Sequence, residues 1–128
     1  MNPLAAALLV LTLLSPGAWA QTRVPFTPPP TPHEEINTLI KTGKLQQALE
    51  RTDALLVKSP RDAQARFIRA VVLADLGKTA DAMAALETLT QEFPELPEPH
   101  NNLGVLLASQ GRYEQARAAL LRALTAEP

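Results

Sequence analysis

One short segment of the sequence begins like the helix of a zinc protease. In that motif a histidine is followed directly by a glutamate, and a second histidine four residues after the first completes the pair of zinc ligands. His33 and Glu34 supply the first half of the motif, but Asn37 occupies the place of the second histidine. The ligand pair therefore fails, and we interpret His33 as an exposed residue at the start of a helix.

A second segment ends like a phosphate-binding loop. Such a loop needs a glycine five residues before its Gly-Lys-Thr ending, whereas Val72 stands five residues before Gly77. The residues before Gly77 also have the periodicity of a helix and not that of a strand. We therefore interpret Gly77, Lys78 and Thr79 as part of a turn between two helices.

The composition argues against catalysis and against binding of nucleic acid. The chain has 128 residues, which suits one small domain, and it has no cysteine, which excludes disulfides, thiolate catalysis and cysteine-bound metals. Its net charge of −1 leaves no basic excess to neutralise phosphates. The carboxylates are spread along predicted helix surfaces, without a convergent acid–base pair. We predict a non-enzymatic protein with no cofactor, no metal and no nucleic-acid partner.

The elements that carry these residues repeat with a fixed period. Five columns of residues follow one another at a spacing of 34 positions: Gly43, Gly77, Gly111; Ala48, Ala82, Ala116; Pro60, Pro94, Pro128; Leu39, Leu73, Leu107; and Leu55, Leu89 with Ala123 in the third place. A fixed period of this length predicts a solenoid of stacked units. In each unit the glycine ends the first helix, the alanine allows the two helices to cross closely, and the proline ends the second helix.

The same pattern predicts six helices. We expect them at Pro32–Thr42, Leu45–Lys58, Asp62–Leu76, Thr79–Phe93, Pro99–Gln110 and Tyr113–Glu127. Thr31 and Glu34 can form a capping box at the first helix, with Pro32 at its first position.

The repeating unit resembles the tetratricopeptide repeat, a helix-turn-helix unit of 34 residues. The third unit matches the recurring residues of that family best, with Leu103, Gly104, Ala116, Leu120, Ala123 and Pro128. The resemblance implies an all-α protein, a right-handed α-solenoid of three tandem repeats at residues 29–62, 63–96 and 97–128.

The first two repeats depart from the family at a few positions. Arg66 and Arg69 replace an aromatic residue and a leucine in the second repeat, and we expect their stems to pack while the guanidinium groups reach water or a carboxylate. The first repeat diverges most, with Pro32, Glu35 and Thr52 at positions that are usually apolar. A polar outer face suits a terminal repeat.

The resemblance also implies where a partner would bind, because the first helix of each repeat lines a concave groove in this family. The matching residues are His33, Asn37, Lys41, Gln64, Phe67, Ile68, Val71, Glu98, Asn101, Asn102 and Val105. The asparagine amides can both donate to and accept from a peptide backbone. Phe67 and Ile68 would either form an apolar pocket or pack between neighbouring helices. A carboxylate clamp is not expected, because Ile68, Glu98 and Asn102 replace its Asn, Lys and Arg.

The first 20 residues have the features of a secretory signal peptide. An uncharged run from Leu4 to Leu14 precedes Pro16 and Gly17, and Ala18-Trp19-Ala20 provides a cleavage site. The run rises only about 16 Å as a helix, too short for a bilayer core of about 30 Å. We expect cleavage and a periplasmic or secreted chain that does not span the membrane. No lysine or arginine precedes the run, so an uncleaved signal anchor is the alternative.

A proline-rich linker at residues 21–28 follows, within an extended segment that reaches to Pro32. We favour a spacer role for this segment over a role as a ligand for an aromatic groove.

Together these features predict a scaffold of the cell envelope that binds a segment of another protein. Two alternatives stay open. Leu106, Leu121 and Leu124 would leave the last repeat partly apolar and could support self-association, or the sequence is the N-terminal part of a larger protein.

Overall fold

The structure of the chain is a computed structural model that describes residues 24–126. Those residues form six helices and no strand: α1 (Pro32–Lys41), α2 (Leu45–Lys58), α3 (Ala63–Asp75), α4 (Thr79–Glu92), α5 (Pro97–Ser109) and α6 (Tyr113–Thr125). The predicted signal peptide lies outside the described residues. Among the helices described, none is both long and apolar enough to cross a bilayer.

Each repeat turns at its glycine, as the spacing predicts. Gly43, Gly77 and Gly111 have φ angles of 74°, 79° and 75°. In the first turn Gly43 N–H donates to the Ile40 carbonyl over 3.0 Å, and Lys44 N–H donates to the Leu39 carbonyl over 2.8 Å. This pair of bonds is the Schellman motif, which satisfies the last carbonyls of a helix and requires a left-handed residue after it.

The helix starts are also set by short-range chemistry. Thr31 and Glu34 form the predicted capping box at α1, and the Asp62 carboxylate accepts from Ala65 N–H over 3.0 Å at α3. The prediction for α5 was wrong by two residues, because the helix begins at Pro97 and not at Pro99. Both prolines fit in the first turn, where the backbone N–H groups have no partner within the helix.

The six helices stack as an all-α solenoid. Each helix packs mainly against the helices that precede and follow it in the chain, as expected for stacked repeats. One core cluster joins the first two repeats through buried Ile36, Leu49, Ile68 and Val72. A second joins the last two repeats through residues that include Met83, Leu86, Leu103 and Leu107.

The crossing of α5 and α6 is close because Gly104 has no side chain. A Cβ atom there would lie 2.7 Å from Leu120 Cγ and 3.2 Å from the Ala116 carbonyl oxygen. In the first repeat the corresponding pair is Ile36 and Thr52, so the large and small residues are exchanged. Thr52 is fully buried, and its hydroxyl donates to the Ala48 carbonyl over 2.6 Å. That bond explains how a polar residue occupies a position that is usually apolar.

Candidate protein-binding surface

The first helices of the repeats, α1, α3 and α5, carry the residues that the sequence analysis assigned to a groove. The exposed members are Asn37, Lys41, Gln64, Glu98, Asn101 and Val105, and the half-buried members are His33, Phe67, Val71 and Asn102. Ten of the eleven predicted residues therefore reach the surface, counted as six exposed and four half-buried.

Ile68 is the residue that the structure places elsewhere. Its side chain is 8% exposed and belongs to the core cluster that contains Leu49 and Val72. Its side chain thus holds α3 against the first repeat, and we leave it out of the candidate surface. The helical pattern of the sequence could not separate these roles, because an apolar residue fits both a pocket and an interface between helices.

His33 is held in place by a neighbour and is less exposed than expected. Its Nε2 atom lies 2.9 Å from an Asp62 carboxylate oxygen, and the contact ties the start of α1 to the start of α3. His100 is buried as well, with Nε2 3.2 Å from the Pro94 carbonyl oxygen. Both histidines thus connect segments of the fold. Among residues 24–126 no group of three or more His, Cys, Asp or Glu side chains lies together as metal ligands do.

A cleft of about 490 Å³ lies between α3 and α5. We call it the inter-repeat cleft, and it is lined by Ala63, Gln64, Phe67, Leu96, Glu98 and Pro99. Phe67 supplies an aromatic wall, while the exposed Gln64 amide and Glu98 carboxylate lie at the surface. An aromatic anchor beside a few polar groups is a combination that suits recognition of another protein.

A second cleft of about 500 Å³ shares Phe67 and Glu98 with the inter-repeat cleft. We call it the terminal cleft, and it is lined by Phe67, Pro97, Glu98, Asn101, Asn102, Leu120, Ala123 and Leu124. Three of these residues, Leu120, Ala123 and Leu124, come from α6. The sequence analysis did not assign them to the groove, because the groove residues of this family lie on the first helix of each repeat. The sequence indicated only Leu124, as part of the apolar surface of the last repeat, because Leu120 corresponds by the 34-residue register to Leu86, which is buried.

The two arginines of α3 bind carboxylates of neighbouring helices. Arg69 Nε donates to Asp53 on α2 over 2.6 Å, and an Arg66 guanidinium nitrogen donates to Glu92 on α4. Arg66 also lies over the Phe93 ring, with 5.9 Å between guanidinium carbon and ring centroid. The expectation that these heads reach a carboxylate is confirmed, and the pairs connect three successive helices.

Two exposed carboxyl groups have pKa values below their ordinary value. At Glu34 the cause is hydrogen bonding with the backbone and side chain of Thr31. At Glu92 the cause is chiefly the hydrogen bond from Arg66, with attraction to Arg66 and Arg61 in addition. Neither group lines the inter-repeat cleft or the terminal cleft. The shifts report a helix cap and a salt bridge, and they do not indicate an acid–base pair.

Comparison with known proteins agrees with the repeat pattern. A family model described as tetratricopeptide repeat matches residues 33–97, and a second model with the same description matches residues 73–128. The TPR repeat-containing protein YvcD of Bacillus subtilis (strain 168) is 33% identical over 81 residues, which is 63% of this chain and 15% of YvcD. The chain thus spans a small part of that relative.

Two solved structures have a similar fold. YrrB, described as a TPR protein with an unusual peptide-binding site, superimposes with a TM-score of 0.68 at 24% identity, over 76% of this chain and 50% of its own. The MamA RS-1 ArsTM double mutant gives a TM-score of 0.66 at 17% identity, over 73% of this chain and 53% of its own. At these identities the likeness establishes the helical repeat fold.

Proposed function

The chain belongs to the tetratricopeptide-repeat family, and we propose that it is a non-catalytic scaffold of the cell envelope. In this proposal a segment of another protein lies in the inter-repeat cleft and extends over the exposed face of α5. The observation that carries the proposal is the position of Phe67, which is half-buried between two clefts and flanked by exposed amide and carboxylate groups.

The proposed ligand is an extended peptide segment with one apolar side chain. That side chain would pack on Phe67 in the inter-repeat cleft, where burial of apolar area favours binding by about 25 cal/mol per Å² before the costs of association. Gln64, one turn before Phe67 on α3, and Asn101, on α5, are both exposed. Their amides can each donate to and accept from a peptide backbone, which lets them hold an extended segment of varied sequence.

The charge of the cleft favours a basic residue in the ligand. Glu98 lines both clefts and is exposed, whereas neither cleft is lined by a lysine or arginine. A lysine or arginine beside the apolar residue would therefore find a carboxylate, while an acidic residue there would be repelled. The relative YrrB, whose description includes a peptide-binding site, supports a peptide as the kind of ligand.

The envelope location rests on the sequence of the first 20 residues. The apolar run from Leu4 to Leu14 and the Ala18-Trp19-Ala20 site are two features of a cleaved export signal. We propose a periplasmic or secreted mature chain that begins at Gln21. Mass spectrometry of the protein recovered from the envelope fraction tests this directly, and an intact Met1 terminus on a membrane-bound form would support the signal anchor instead.

Affinity capture from the envelope fraction tests the binding surface. We compare the wild-type chain with a Gln64→Ala, Glu98→Gln variant, and with a matched Gln47→Ala, Glu50→Gln variant on α2. All four residues are exposed, so both variants should fold, which circular dichroism checks. A partner that is lost from the first variant and kept by the second supports the proposal. A set of captured proteins that is the same for all three chains would contradict it.

A further inference from the structure

The segment before α1 has the chemistry that the inter-repeat cleft favours in a ligand. We call residues 23–31 the arm, and the structure describes residues 24–31 of it, which form no helix or strand and are all exposed. Phe26 provides an aromatic side chain that is 86% exposed. Arg23 stands three residues before it in the sequence. The arm thus combines one aromatic residue with a nearby basic residue, which is the combination that suits Phe67 and Glu98.

Proline keeps the arm extended. The arm contains four prolines, Pro25, Pro28, Pro29 and Pro30. Each proline fixes its own φ and disfavours helix in the residue before it. Thr31, at the end of the arm, has a φ of −67° and a ψ of 158°, close to the values of polyproline II. A polyproline II helix has three residues per turn, so in this conformation Arg23 and Phe26 lie on one side of the arm and Val24 lies on another.

The arm holds Phe26 away from the repeats of its own chain. Because Phe26 is 86% exposed, it does not lie in the inter-repeat cleft of the same molecule. Six residues separate it from Pro32 at the start of α1, which is about 19 Å at about 3.1 Å per residue. The three successive prolines make this length a semi-rigid spacer. The spacer role predicted from the sequence is thus kept, and the end of the spacer presents Phe26 to another molecule.

The inter-repeat cleft matches the arm in charge and in hydrogen bonding. Glu98 is exposed, and no lysine or arginine lines the cleft, so the Arg23 guanidinium would meet a carboxylate without a competing cation. A polyproline II segment makes no internal hydrogen bonds, so its carbonyl oxygens can accept from the Gln64 amide. All the lining residues lie on α3, on α5 or at the N-cap of α5. The site is therefore formed entirely by elements that the structure describes.

We propose that the inter-repeat cleft binds the arm of a second copy of this chain. In the complex the Phe26 ring packs on Phe67, and Arg23, on the same side of the arm, pairs with Glu98. The inference rests on the proposed function, because it names a segment that the same cleft binds, and the arm competes there with a segment of another protein. A semi-rigid extended segment loses less conformational freedom on binding than a flexible one, which favours the arm as a ligand.

A peptide of the arm tests the aromatic contact. It has the sequence of residues 21–31 with blocked ends and a fluorescent label, and fluorescence anisotropy measures its binding to the Phe26→Ala chain, whose own arm cannot compete. We expect a Phe26→Ala peptide to bind more weakly by about tenfold or more. A Val24→Ala peptide should stay within about twofold of the unmodified peptide, because Val24 is as exposed as Phe26 but lies on another side of the arm. Equal weakening by the two alanines, or no binding of the unmodified peptide, would overturn the proposal.

An exchange of charges tests whether the peptide lies in the cleft. In the same Phe26→Ala chain, Glu98→Lys should weaken the unmodified peptide by about fivefold and should restore the binding of an Arg23→Glu peptide, because opposite charges then face each other again. Glu50→Lys, at an exposed position on α2, should do neither. Equal effects of the two lysines would show that the overall charge attracts the peptide and not the cleft, and would contradict the proposal.

Sedimentation velocity tests whether the occupant comes from a second copy. At concentrations above the dissociation constant of the peptide, wild type should associate and the Phe26→Ala chain should sediment as a monomer. Labelled Phe26→Ala chain should move with the larger species when unlabelled wild type is added, because its intact cleft accepts the wild-type arm. A monomeric wild type would overturn the proposal, and so would association that persists without Phe26.

The scaffold proposal is tested separately. The affinity capture with the Gln64→Ala, Glu98→Gln variant is scored on proteins other than this chain. A partner captured through Gln64 and Glu98, together with an arm peptide that does not bind, would refute the arm as a ligand and leave the scaffold proposal intact.

Discussion

Gly104→Ala should destabilise the chain, although alanine is normally the better helix former. In the middle of a helix alanine is favoured over glycine by about 1 kcal/mol. Here the new Cβ would lie 2.7 Å and 2.8 Å from Leu120 Cγ and Cδ2, well inside the carbon–carbon optimum of about 3.5–4.0 Å. Overpacking of this kind costs about 1–3 kcal/mol. The Ala116 carbonyl oxygen, 3.2 Å from the same point, limits how α6 can retreat, so we place the cost at the upper end.

The two effects together predict a net loss of about 1 kcal/mol or more in the free energy of unfolding. Urea denaturation followed by circular dichroism at 222 nm measures it. Most of the loss should disappear in a Leu120→Ala background, because Leu120 Cγ and Cδ2 are then absent and the Ala116 carbonyl oxygen, 3.2 Å away, is the remaining close contact. If Gly104→Ala stabilised the chain in both backgrounds, the close crossing of α5 and α6 at Gly104 would be refuted.

Two further predictions concern the turns and the first helix cap. Gly77 has a φ of 79°, and no atom lies within 4 Å of an added Cβ. Gly77→Ala should therefore lower the free energy of unfolding by about 1–2 kcal/mol from backbone strain alone, and Gly77→Asn should lower it less, because asparagine tolerates this conformation better. Equal losses of stability for the two variants in urea denaturation would contradict this. The pKa of Glu34 is lowered in the folded chain by its hydrogen bonds with Thr31, so its stabilising effect is present above the unfolded pKa and is lost as pH falls through the folded value. The difference in melting temperature between wild type and Glu34→Gln should therefore shrink as pH falls below 4.5, the ordinary pKa of a glutamate. If the difference persisted unchanged into strong acid, the Glu34 carboxylate would not be the source of the extra stability.

The sequence predicted the fold well because each local signal agreed with the repeat. The glycine turns and the end of α2 at Lys58 are where the 34-residue columns place them, and the capping box at Thr31 is where its own short motif places it. The start of α5 was missed because a proline is compatible with several positions of a first turn, and the sequence alone does not distinguish Pro97 from Pro99. The exact ends of helices depend on such near-equal choices.

The candidate surface was less predictable, because it depends on which side of a helix is covered. Phe67 and Ile68 are adjacent and both apolar, yet one lines two clefts and the other is buried in the core. Leu120 and Ala123 were missed as cleft residues because groove positions are carried by the first helices of the repeats, and Leu124 was expected only as part of an apolar surface of the last repeat. Which of them line a cleft depends on how the helices stack in three dimensions, which periodicity does not contain.

Site-specific photocrosslinking tests the central claim most directly. A photoreactive phenylalanine analogue replaces Gln64, which lines the inter-repeat cleft, or Gln47, which is exposed on α2, and the cells are irradiated before the envelope is isolated. The scaffold proposal predicts a discrete crosslinked protein at position 64 that is absent at position 47, with the attachment mapped to an extended segment beside a lysine or arginine. The same products at both positions, or none at position 64, would contradict it.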